Sequence, residues 1–219
     1  RIPVKSFSAD NGFIGKMQKL VREEVLPYQY NILNDAIPGI EKSHAIENIR
    51  LAAEKLRGKD VKPDEFYGMV FQDSDVAKWI EAAAYALAAG EDPELEKAVD
   101  ETIQLYGASQ HEDGYVDSYF TVKCPDKMWT NICDAHELYC AGHMMEAAVA
   151  YYEVTGKREL LDIMSKSADC IYEQFMKKNT RAYPGHPEVE LALMRLWRAT
   201  GNEKYKELAK HFVDRKSVV

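Results

Sequence analysis

Apolar residues recur at three- and four-residue intervals along most of the chain, and alternating strand-like runs are nearly absent. That spacing follows the turn of an α-helix and predicts an all-α fold. Eight helices are expected, over about residues 11–33, 43–56, 75–89, 93–109, 133–154, 158–176, 187–199 and 203–214. In the third, Val76, Trp79, Ile80, Ala83 and Leu87 share one stripe, Asp73 or Ser74 is placed to cap the first turn, and Gly90 ends the helix.

Three junctions repeat one device: Ala89-Gly90-Glu91-Asp92-Pro93, Thr155-Gly156-Lys157-Arg158 and Thr200-Gly201-Asn202-Glu203. In each, a glycine able to adopt the left-handed conformation closes one helix and the next begins almost at once, which forces the two to run antiparallel. The connections between these helical hairpins, Tyr67 to Asp75, Gln110 to Asn131 and Lys178 to Glu188, are longer and richer in Gly, Pro, aromatic and polar residues. Short turns at one end and elaborated loops at the other imply a ring or solenoid that works through its loop end.

Composition narrows the partners. With 219 residues, 46% hydrophobic and 29% charged, the chain has the make-up of a soluble globular domain, and no apolar run approaches the ~20 residues that span a bilayer. A net charge of −8, with Lys and Arg scattered along helices, argues against nucleic acid and favours a neutral substrate. Cys124, Cys133, Cys140 and Cys170 form no C-x-x-C pair, which points to reduced thiols and a cytoplasmic setting. A start at Arg1 leaves a removed leader, and hence a periplasmic setting, open.

Four loop-end segments hold candidate chemistry. In Phe71-Gln72-Asp73-Ser74-Asp75, Asp73 and Ser74 suit a helix cap, while Gln72 and Asp73 suit sugar hydroxyls if turned outward. Gln110-His111-Glu112-Asp113-Gly114-Tyr115 holds a turn, and Tyr119-Phe120 after it reads as a short extended segment, either a lid or a stacking platform. Cys133, His136, Cys140 and His143 step by three, four and three residues on one predicted helix face. Strung over about 15 Å they cannot all ligate one zinc ion, which needs every donor at ~2 Å. His143 reads as buried, whereas His136, nearest the loop face, is placed to hydrogen-bond a hydroxylated ligand. In Tyr183-Pro184-Gly185-His186-Pro187-Glu188, Pro187 and Glu188 suit a helix start and His186 has no structural reason. Convergence of His136 and His186 on one pocket is the main site expectation.

Together the motifs resemble the bacterial β-L-arabinofuranosidase family of glycoside hydrolases. The resemblance rests on Gly68-Met69-Val70-Phe71-Gln72-Asp73-Ser74-Asp75, the Gln110 to Tyr115 loop, His136-Glu137-Leu138-Tyr139, Gly142-His143 with Glu146-Ala147-Ala148, and Gly185-His186-Pro187-Glu188 with Glu190-Leu191-Ala192. It runs from about Lys19 to Arg215.

It implies a six-hairpin (α/α) toroid followed by β-sandwich domains, with residues 1–219 as the N-terminal portion of one catalytic domain. It also implies retaining hydrolysis of β-linked L-arabinofuranosides from plant glycans, with a zinc-held cysteine as nucleophile and a glutamate as general acid/base. Those groups and the zinc site are implied to lie outside this chain. Within it, His136 and His186 match the family's substrate-contacting histidines, and Gln72 and Asp73 match a family motif. An arabinose-containing oligosaccharide is the implied partner, and the edge of an incomplete ring offers a surface for self-association.

Two other readings compete. A non-catalytic carbohydrate-binding or scaffold module would explain the same loops. A hydrolase with its acids inside the chain, Asp73 with Glu137 or Glu188, would need carboxylates about 5–9 Å apart.

Overall fold

The computed structural model describes residues 12–216, and every regular element among them is helical. The order is α1 (Gly12–Leu20), a π-helical turn (Val21–Val25), α2 (Leu26–Leu33), α3 (Ala45–Leu56), α4 (Asp73–Ala89), α5 (Pro93–Ala108), α6 (Ser118–Lys123), α7 (Glu137–Thr155), α8 (Glu159–Tyr172) running into a second π-helical turn (Glu173–Lys177), α9 (Val189–Thr200) and α10 (Glu203–Lys216). Short 3₁₀ turns occupy Pro63–Glu65 and Pro125–Lys127. Among the described residues no helix is long and apolar enough to cross a membrane.

The three expected hairpins are α4–α5, α7–α8 and α9–α10. Helices α4, α7 and α9 lie side by side, and α5, α8 and α10 form a second row, each against its hairpin partner. Small residues permit the close approach of α4 and α7: Ala77, Ala83 and Ala84 on one, Ala141, Ala147 and Ala148 on the other, all buried. Flanked on both sides, α7 is buried nearly all round and has little polar face. The indole N–H of Trp79 donates to the Leu26 carbonyl at 3.1 Å, which fixes α4 to α2.

One cation crosses the inner row. The Arg195 guanidinium on α9 donates to Glu146 on α7, and to Glu81 and Tyr85 on α4, the last two at 3.3 Å. It is largely buried, as is Glu146, so the three helices share one desolvated ion-pair network.

Four local expectations need correction. Gly156 and Gly201 take the left-handed conformation, at φ 79° and 73°, but Gly90 is extended at φ 174°. There the Asp92 side chain starts α5 by accepting from the Leu95 amide at 3.0 Å, with Pro93 in the first turn. Asp73 and Ser74 do not cap α4, because the helix begins at Asp73 itself. The Tyr119-Phe120 segment is not extended but lies in α6, whose cap is Asp117. Finally, α7 begins at Glu137 and not at 133, because His136 is left-handed at φ 64° and breaks the helical path. Cys133 therefore lies on a loop, and the four-residue Cys/His stripe does not exist.

Candidate active site

His136 is the last residue before α7, and its backbone is left-handed. His186 comes from the 178–188 connection, fifty positions later. The two rings meet with Nε2 facing Nε2 at 3.3 Å, so one nitrogen carries the hydrogen and the other accepts it. Tyr139, in the first turn of α7, packs against both, with ring centroids 5.6 Å from His136 and 5.0 Å from His186. Phe71 closes the far side of His136 at 5.2 Å.

Two glycines bring the 178–188 segment this close. A Cβ on Gly142 would lie 2.9 Å from Glu188 Cγ and 3.0 Å from the Val189 nitrogen. A Cβ on Gly185 would overlap the Cys133 carbonyl oxygen. Neither glycine has positive φ, so what each supplies is space.

Below the histidines sits a charged tier. Lys78 on α4 donates to the Tyr139 hydroxyl at 3.0 Å and to Ser74 Oγ at 3.2 Å. His143 Nδ1 lies 3.3 Å from Glu188 Oε1, and Tyr139 stacks edge-on against His143 at 4.5 Å. Burial, aided by the positive charge of Lys78, lowers the His143 pKa to about 4. Burial, followed by the negative charges of Glu146 and Glu81, raises Glu188 to about 7. A cleft of about 500 Å³ between α2 and α4 opens beside this tier and is lined by Tyr28, Gln29, Ser43, Asp75, Lys78 and Trp79.

The expected site residues divide. His136 and His186 come together. Gln72 is partly exposed nearby, but its amide is engaged: Oε1 accepts from the Met69 amide at 3.1 Å and Nε2 donates to Ser43 at 3.2 Å. Asp73 does not join the histidines. It is buried, and its carboxylate accepts from the Ser118 amide at 2.8 Å and from the Ser118 hydroxyl, so it braces α6 against α4. Burial raises its pKa against those two hydrogen bonds. With Asp73 and Glu137 both buried and hydrogen-bonded inside the protein, an in-chain acid pair using them has no access to a glycosidic oxygen. Sequence reasoning passes over Tyr139 and Lys78, and names Glu188 as a candidate acid or helix start but not as the partner of His143. The available signal was spacing: Lys78 lies one turn after Ser74, and Tyr139 and His143 follow His136 at helical steps.

Among the described residues no three His, Cys, Asp or Glu side chains converge on a metal position. Cys140 is buried, and burial, with Asp117 and Asp73 nearby, pushes its thiol well above the ordinary range.

Residues 8–219 match the family model described as β-L-arabinofuranosidase, GH127 catalytic domain. The chain belongs to this family. It is 41% identical to the non-reducing end β-L-arabinofuranosidase of Bifidobacterium longum subsp. longum, over 88% of this chain and 31% of that protein. A solved GH127 β-L-arabinofuranosidase from Geobacillus stearothermophilus T6 superposes with a TM-score of 0.85 at 51% identity, covering 94% of this chain and 32% of the other. A second solved structure, a GH127 β-arabinofuranosidase, gives 0.87 at 31% identity, over 100% and 34%. The helical toroid of the GH127 structures is thus the fold to which the hairpins belong. The chain spans about a third of the length of the relatives it matches.

Proposed function

We propose that this chain forms the sugar-holding wall of a GH127 catalytic domain that hydrolyses β-linked L-arabinofuranosides of plant glycans with retention. In this reading His136 and His186 hydrogen-bond the hydroxyls of the arabinofuranosyl ring, and the nucleophile, acid/base and zinc site come from residues outside the 219. The carrying observation is the Nε2–Nε2 approach of two histidines from separate loops at 3.3 Å. The two Nε2 atoms form one donor and one acceptor held at one point, and a pair of adjacent sugar hydroxyls replaces the ring-to-ring bond by bonding each nitrogen in its place. Tyr139 and Phe71 supply apolar faces for the ring carbons. The exposed Phe13, Ile14 and Leu20 of α1 give the chain a surface for self-association.

The test is a titration of the chain with L-arabinose, followed in ¹H–¹⁵N spectra, together with turnover of an aryl β-L-arabinofuranoside. Binding is expected and should be lost in His136→Ala and in His186→Ala. No turnover is expected from the 219 residues, with or without added zinc. Turnover by this chain alone, or binding untouched by both substitutions, overturns the reading.

A further inference from the structure

Glu137 follows His136 in the motif, yet its side chain is buried at 3% exposure. Its Oε1 accepts from the Tyr115 hydroxyl at 2.8 Å and from the Trp129 amide at 3.0 Å, and its Oε2 lies 3.1 Å from the same amide. Trp129 is itself left-handed at φ 62°, as is His136 at 64°. For non-glycine residues that conformation is strained and persists only where neighbours hold it. The two strained residues are thus the two ends of one loop, 129–136, and Glu137 fastens the end to the beginning.

That loop touches both histidines. His136 is its last residue. At its middle, the Cys133 carbonyl is the surface on which Gly185 rests, next to His186. Trp129 wedges the loop's base between Tyr115 and Phe175, at ring separations of 5.0 and 5.7 Å. No side chain caps α7, and the His136 backbone is held on its helix side by its carbonyl, which accepts from the Cys140 amide at 2.9 Å.

We infer that Glu137 is a positioning residue for the two-histidine site, pinching the 129–136 loop shut so that His136 and His186 are held at hydrogen-bonding distance. The inference rests on the proposed sugar-holding role for its functional consequence, but its structural content stands separately. Replacing the carboxylate with a methyl group leaves the Trp129 amide and Tyr115 hydroxyl buried without an acceptor and frees the loop. A glutamine keeps Oε1, which accepts both donors, provided its amide nitrogen turns off the Trp129 N–H that Oε2 faces at 3.1 Å.

The experiment compares Glu137→Ala, Glu137→Gln and, as a destabilised control at the far end of α7, Tyr151→Phe, which removes the hydroxyl donating to Asp100 at 2.7 Å. The first readout is the imidazole ¹⁵N resonances of the ligand-free chain. Glu137→Ala should shift the Nε2 signals of both histidines as their hydrogen bond opens, while Glu137→Gln and Tyr151→Phe should not. The second readout is L-arabinose affinity, expected to fall about ten-fold in Glu137→Ala, the worth of roughly one hydrogen bond, and to recover in Glu137→Gln. Unchanged histidine signals in a folded Glu137→Ala chain, or equal shifts in Tyr151→Phe, overturn the positioning role. Failure of the wild-type chain to bind arabinose, with the histidine shifts as expected, overturns only the functional reading.

Discussion

Gly142→Ala sets two effects of known size against each other. Alanine favours a helix interior over glycine by about 1 kcal/mol, so on local grounds the substitution stabilises α7. Against this, the new methyl group would stand 2.9, 3.0 and 3.1 Å from Glu188 Cγ, the Val189 nitrogen and the Glu188 carbonyl carbon. Two of these three are backbone atoms, which no side-chain rotation can move away. Restoring ordinary contact requires the start of α9 to retreat by about half an ångström, and overpacking of this kind costs about 1–3 kcal/mol. The expected balance is a net loss of about 1 kcal/mol, or about 2–4 °C in melting temperature for a chain of this size. Because His186 lies two residues before Glu188, arabinose affinity should fall by more than the stability change alone accounts for. Thermal unfolding followed by circular dichroism, beside the arabinose titration, measures both. A melting temperature that rises by the full helix-propensity gain, with affinity intact, would refute a tight α7–α9 contact.

Three further expectations follow from the same neighbourhood. Gly185→Ala, whose Cβ overlaps the Cys133 carbonyl oxygen, should cost little stability in its exposed loop yet abolish the histidine pair, seen as lost arabinose binding with a near-normal melt. Arg195→Met withdraws the guanidinium from buried Glu146 and should destabilise the chain by about 3–5 kcal/mol in urea unfolding; a change under 1 kcal/mol would show the network to be idle. For pH, the lowered His143 loses stability as pH falls from its unfolded 6.5 toward about 4, because the unfolded chain takes up the proton first. The raised Glu188 loses stability as pH rises from 4.5 toward about 7, because the unfolded chain releases its proton first. The two slopes oppose each other between pH 4.5 and 6.5. Glu188→Gln should therefore make stability rise more steeply with pH than in wild type across that window, and His143→Gln should make it fall; parallel curves for all three proteins would exclude the pair as titrating groups.

Hairpins were legible in the sequence because they depend on local signals: helical periodicity, and glycines at the α7–α8 and α9–α10 turns. The approach of His136 and His186 was legible as a shared loop end, and their motifs named them. What escaped is backbone conformation chosen by tertiary contact. Nothing local to Trp129 or His136 announces a left-handed residue; Glu137, Tyr115 and the packing of the loop impose it, and the predicted helix over 133–154 ran straight through. Asp73 misled for a related reason. An aspartate at a helix start is among the favoured caps, but here Ser118, distant in sequence, claims it. The His143–Glu188 pair spans two hairpins, and the closeness that makes it depends on Gly142 having no side chain.

The left-handed turns at Gly156 and Gly201 lie at the end of the hairpins opposite the histidines, and a side chain at either would meet nothing within 4 Å. That end is open ground for engineering. A short tag spliced after Lys157 or Asn202 would tether the protein to a resin or a sensor chip by its back, with the two-histidine loops held outward to the passing liquid.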